Sequence, residues 1–176
     1  MAQKVRRVVT GHNAEGRSVF IDDGEAKAVK EMESMPGLAL TDFWVTHGAP
    51  ADNTGVQDAA DRDVVLEPPP NGTIFRVVEF PPDSAWKNQA DGHEAFASIG
   101  AGHASDSDSD DPMMHKTATI DYLIVLKGEI WAILDEGETC LKQGDVMIQR
   151  GTNHSWSVRT DEPCLLGAVL VNSKPV

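Results

Sequence analysis

From His115 to Val171 the chain is cut into short apolar segments at regular intervals. Segments 115–120, 122–127, 129–134, 138–142, 145–149, 154–159 and 164–171 run five to eight residues each. Between them stand Lys127-Gly128, Asp135-Glu136-Gly137, Gln143-Gly144, Arg150-Gly151 and Asp161-Glu162-Pro163, residue types that turns require. Segments this short are too brief for ordinary helices. Short strands closed by turns in series predict an antiparallel sandwich or barrel.

The upstream half carries fewer elements. Residues 5–11 and 17–22 read as two strands joined by a turn containing Asn13 and Gly16. Residues 25–35 read as a short helix that Met35-Pro36-Gly37 ends. Residues 40–46 and 73–80 are strands, the second closed by Pro81-Pro82, and 48–72 are loop. Residues 93–99 read as another short helix. The acidic, low-complexity run 100–112 reads as a solvated, mobile loop. Its Asp106, Asp108, Asp110 and Asp111 lack the glycine and distal glutamate of an EF-hand calcium loop, so calcium is rejected. The 115–171 unit is not repeated upstream. The expectation is one structural domain, with 114–176 as barrel core, 1–90 as a β extension packed on it and 91–113 as helix and acidic flexible loop.

With 176 residues, 15 glycines and 10 prolines, the chain suits one core built from many short strands. The net charge of −13 argues against nucleic acid, whose phosphates would be repelled. Cys140 and Cys164 have no CxxC spacing and read as small buried hydrophobes. The N-terminal Met-Ala-Gln-Lys-Val-Arg-Arg has no apolar stretch behind it, so no secretory leader is expected. The longest apolar run, 165–171, is far too short to cross a membrane as a helix. The expected location is the cytoplasm.

Three residues stand out chemically. His115, Thr117, Thr119 and Asp121 share one face of a regular strand. His115 and Asp121 reach one point only if the chain turns or bulges near Thr119, and His154 would join them from another strand. Two imidazoles and a carboxylate suit a divalent metal with open positions for water and substrate. The same three can also form a hydrogen-bonded polar cluster that holds a ligand without metal. Trp156, two residues from His154, would wall the cavity, and Tyr122, of opposite parity to Asp121, would face outward. Arg76 and Arg150 are the basic residues placed to clamp a substrate carboxylate; Arg150, in the turn before His154, joins Thr117, Thr119 and Trp156 as the expected ligand-binding set.

This pattern resembles the cupin family. The family's first motif is Gly, His-x-His, a spacer, Glu and a closing Gly. Here His115 matches the first histidine, Thr117 stands at the second, Asp121 replaces the glutamate and Gly128 closes the motif. The second motif appears as Gly144-Asp145, Gln149 at the usual proline, Gly151 and His154. The resemblance covers about residues 114–172 and implies an antiparallel cupin-type β-barrel, a jelly roll with an N-terminal strand extension and little helix. It also implies a divalent metal (Fe, Mn, Zn or Ni) on His115, Asp121 and His154, and pairing into a homodimer. The strand region 5–22 adds to that last expectation, because it lacks an obvious partner of its own. Without a metal, His115 or His154 would act as general base with Asp121 orienting it. The expected function is a small-molecule enzyme of lyase, isomerase or oxygenase type, acting for instance on an aromatic or polyketide-like acid. The alternative is a non-catalytic binding or sensing barrel.

Overall fold

The computed structural model describes residues 2–55, 57–87 and 92–175. Eleven strands among them form the architecture: β1 (Arg6–His12), β2 (Ser18–Glu25), β3 (Ala28–Glu31), β4 (Ala39–Thr46), β5 (Thr73–Phe80), β6 (Thr119–Lys127), β7 (Glu129–Leu134), β8 (Glu138–Lys142), β9 (Val146–Arg150), β10 (His154–Ser157) and β11 (Cys164–Asn172). One short helix, α1 (Gly92–Ser98), lies between β5 and β6. All pairings are antiparallel. A six-stranded sheet runs β3-β4-β5-β11-β6-β9, a three-stranded sheet β10-β7-β8, and β1-β2 stand as a separate hairpin.

The two larger sheets close face to face as an antiparallel cupin-type barrel. Leu123, Val125, Leu166 and Leu170 from the six-stranded sheet meet Ile130, Ala132 and Trp156 from the smaller one in a single core. Period-two patterning dictates this: along β6, Thr119, Asp121, Leu123 and Val125 are buried while Tyr122 and Ile124 are exposed. Each fully buried aliphatic side chain contributes about 1.5–3 kcal/mol relative to exposure, so the inward rows hold the sheets together. At the β6–β7 turn Gly128 has φ of 80°, and a Cβ there would come within 2.9 Å of the Pro163 carbonyl oxygen. A second core forms at one end of the barrel, where Phe96 and Ile99 pack with Met32, Met35, Leu38, Trp86 and Met113. No helix among the described residues is long and apolar enough to cross a membrane.

Several sequence expectations need correction. Residues 28–31 are strand, not helix. Their side chains alternate, and Val29, Lys30 and Glu31 pair with Thr41, Leu40 and Ala39, so sheet pairing overrides the helix-forming composition of the segment. Segments 115–120 and 122–127 are not two strands. A single strand passes through Asp121, which pairs with both Leu170 and Gln149, and His115 precedes it. The strand region 5–22 does have a partner of its own, because β1 pairs with β2.

The division into extension and core does not follow the sheet. β5 lies hydrogen-bonded between β4 and β11, inside the barrel wall, because β11 needs a neighbour on the edge that β6 does not fill. The expected boundary between 90 and 91 lies outside the described residues. The acidic run is not a freely solvated loop. Ala101 and Ala104 are buried, Ser105 bridges to His115, and Asp106 accepts a hydrogen bond from Asn153 Nδ2 at 2.8 Å.

Candidate functional site

Between the two cores lies a mainly apolar cavity of about 90 Å³. Arg76 of β5, Asp121 and Leu123 of β6, and His154 and Trp156 of β10 line it from the barrel. Phe96, Ile99, Met113 and His115 close it from the segment before β6. Every polar group on this wall sits in a low-dielectric setting, which strengthens charge effects.

The two histidines are placed by backbone. His115 and His154 exchange reciprocal N–H···O bonds, each 2.9 Å, which sets their rings side by side with centroids 4.1 Å apart. Each ring is then fixed by its own turn. His115 Nδ1 lies 2.8 Å from the Met113 carbonyl and His154 Nδ1 lies 2.9 Å from the Thr152 carbonyl. A carbonyl only accepts, so each Nδ1 carries the proton and each neutral ring keeps an Nε2 lone pair. Burial pulls His115 down to about 4, and burial together with the neighbouring His115 pulls His154 down to about 3. Both rings are therefore neutral acceptors at neutral pH. Phe96 packs on His115 at 4.6 Å and Trp156 meets His154 edge-on at 5.7 Å.

Asp121 is the opposite case. It is buried, and its Oδ1 has no hydrogen-bond partner among the described residues. Burial pushes its carboxyl up to about 6, against opposing pulls from the Thr119 hydroxyl and the Arg76 charge. A buried acceptor left open costs about 1–3 kcal/mol unless something fills it. Asp121 does not orient either imidazole; the Met113 and Thr152 carbonyls do, which corrects the expected base-and-orienter pairing.

Of the residues expected to bind a ligand, Trp156 lines the cavity. Thr117 and Thr119 are buried but bonded to each other, Oγ1 to Oγ1 at 2.7 Å, and neither lines it. Arg150 is exposed at the end of β9, because strand parity turns Gln149 inward and Arg150 outward. Arg76 is the basic residue at the cavity. It pairs across strands with Asp42, donating from Nε to Oδ1 at 2.9 Å and from Nη2 to Oδ2 at 3.2 Å. Arg62 also reaches Asp42, at 2.9 Å. The Asp42–Arg76 pair was legible as two charges at inward positions of adjacent apolar strands, a signal the motif-based assignment left unused.

No family model matches the chain. The chain is 31% identical over 177 residues to the cupin-domain-containing oxidoreductase virC of Hypocrea virens, covering 97% of this chain and 77% of that protein. This chain belongs to the cupin-domain family. The cupin is also 32% identical over 163 residues to the phomopsin biosynthesis cluster protein C' of Diaporthe leptostromiformis, covering 88% of this chain and 70% of that one. Among solved structures it is similar to a putative ethanolamine utilization protein Q from Salmonella typhimurium, with 12% identity and a TM-score of 0.45 over 98% of this chain and 100% of that one.

The metal that the family resemblance implies does not fit this cupin as a three-ligand centre. Among the described residues no three His, Cys, Asp or Glu side chains gather closely enough to hold an ion. The two Nε2 atoms can present lone pairs together, but the Asp121 carboxyl takes its influences from Thr119 and Arg76. Thr117, at the position of a family imidazole, spends its hydroxyl on Thr119. The expected His115–Asp121–His154 metal set is corrected accordingly: three cavity-lining groups, of which two adjoin.

Proposed function

We propose that this cupin is an enzyme that moves a proton on a small, neutral, largely apolar organic molecule held in the barrel. Asp121, ionised at neutral pH, takes the proton. The Nε2 atoms of His115 and His154 accept hydrogen bonds from a hydroxyl on the substrate and so fix its orientation. The charge of Arg76 on the same wall favours the ionised form of the Asp121 base. The observation that carries this reading is the buried Asp121 Oδ1, without a partner among the described residues, on an apolar cavity that two neutral imidazoles also line.

The chemistry narrows the substrate class. Arg76 is already neutralised by Asp42, and an added anion would face Asp121. A neutral hydroxyl- or carbonyl-bearing molecule therefore suits the cavity better than the acid expected from sequence. The volume also sets a bound. An engineered apolar cavity of about 150 Å³ accepts benzene, so about 90 Å³ takes a small molecule or one end of a larger one. The names of its relatives, oxidoreductases and a biosynthesis cluster protein, support catalysis on small molecules. Proton removal from the carbon bearing a hydroxyl, next to a carbonyl, is a step shared by isomerisation and elimination.

Acetoin, a neutral hydroxyketone, tests this. In heavy water the wild-type chain is expected to speed exchange of the acetoin methine proton, followed by NMR. Asp121→Asn should lower that rate at least ~100-fold while acetoin still quenches the cavity tryptophan. Equal exchange by wild type and variant would rule out Asp121 as the base. Binding with no exchange by the wild type would leave a non-catalytic binding barrel.

A further inference from the structure

Gln149 stands where the family's second motif has proline, and its side chain is almost wholly buried. It lies directly opposite Asp121 in the β6–β9 ladder, so backbone pairing fixes where that side chain starts. Its Nε2 donates to the Thr152 carbonyl at 3.1 Å and also bonds the Thr152 hydroxyl. The same carbonyl accepts from His154 Nδ1. A carbonyl oxygen has two lone pairs, and here both are taken. The glutamine thus spans the bend at Gly151, where φ is 61°, and clamps the peptide that sets the His154 ring.

The other end of the amide gains nothing for the fold. The Thr152 carbonyl only accepts, so the amide nitrogen must face it. Gln149 Oε1 is then left buried, with no partner among the described residues. An open buried acceptor costs stability, and an apolar side chain of the same length would avoid that cost. What the amide contributes is the direction of the Thr152 carbonyl. We propose that Gln149 is a positioning residue, which fixes His154 as the Nδ1–H tautomer by holding the Thr152 carbonyl. The two neutral forms of an imidazole differ in which nitrogen holds the proton, and the hydrogen bond at one nitrogen decides between them. With the carbonyl held, Nε2 of His154 keeps its lone pair. His115 has its own carbonyl, from Met113, and does not depend on Gln149. That the His154 lone pair receives a substrate hydroxyl rests on the function proposed above.

Gln149→Met, of similar length and without a donor, tests the proposal by long-range proton–nitrogen NMR of the imidazoles, which tells the two tautomers apart. In the wild type both histidines are expected as Nδ1–H. In the variant His154 should take up the Nε2–H form in part, while His115 stays Nδ1–H. Acetoin should bind the variant about tenfold more weakly, the loss that one hydrogen bond brings, with a urea midpoint no lower than that of the wild type. His154 still wholly Nδ1–H in the variant would make Gln149 a merely structural residue and overturn the proposal. If the variant does not fold, the wild type decides. Scalar couplings across hydrogen bonds should join Gln149 Nε2 and His154 Nδ1 to the same Thr152 carbonyl carbon, and a missing Gln149 coupling would overturn the proposal. The tautomers are read without acetoin. Failure of acetoin to bind the wild type would therefore count against the proton-transfer reading alone.

Discussion

At the residue scale, the candidate site is three buried, cavity-lining groups whose protonation is set mainly by desolvation. Asp121 is held near 6 and the two histidines near 4 and 3, so the carboxyl rather than an imidazole titrates near neutrality. Proton abstraction should therefore rise with pH through a midpoint near 6 and level off above it. A pH–rate profile of acetoin exchange checks this, and a profile rising instead near 4 would assign the base to a histidine. His154→Ala should remove acetoin binding and leave the circular dichroism spectrum unchanged, because His154 walls a cavity and does not fill a core. The Arg76–Asp42 pair is structural as well as local. Both are almost wholly buried, so Arg76→Met strands a carboxylate with only the partly exposed Arg62, and should cost about 3–5 kcal/mol in chemical denaturation. Replacing Asp42 by Leu in the same chain should recover part of that loss. That His115, Asp121 and His154 turn inward to one cavity was legible from their motif positions. Their relation was not, because motif spacing does not say which atom a carbonyl will claim.

At the element scale, alternation and turn glycines located most strands well, and β5, β7 and β8 match their expected bounds. Composition misplaced 28–31, where helix-forming residues pair as a strand because β4 leaves a sheet edge that Val29 and its neighbours fill. The acidic run misled for a similar reason. Asp108 and Asp110 are exposed, but Ala101 and Ala104 before the aspartates and Met113 and Met114 after them are buried and tie the segment to the barrel. Asn153 clips that segment by donating to Asp106 and, on the barrel side, to Asp135 at 3.0 Å. Asn153→Ala should raise amide exchange across 104–115 by several-fold while β5 and β11 stay protected. Uniform exchange in both chains would show that the clip contributes nothing.

At the scale of the whole molecule, the same burial that tunes the site makes stability depend on pH. The histidines have folded values below their unfolded value of about 6.5, so their contribution is present above that and is lost as pH falls toward 4. Asp121 is raised, so its effect has the opposite sign: it favours the fold as pH drops through about 6. Two histidines against one carboxyl leave a net loss between about 6.5 and 4, near one proton or about 1.4 kcal/mol per pH unit. Urea unfolding across that range should show it, and His154→Gln should flatten the slope. The barrel, the cavity and its few polar groups thus act as one unit, with apolar walls setting the chemistry of the carboxyl they enclose. A crystal structure of the chain with acetoin at pH 7.5 tests that most directly. Acetoin is expected inside the barrel, its hydroxyl within hydrogen-bond reach of a histidine Nε2 and its methine carbon ~3–3.5 Å from Asp121 Oδ1. Acetoin bound elsewhere, or inside with Asp121 Oδ1 turned away from it, would contradict the account.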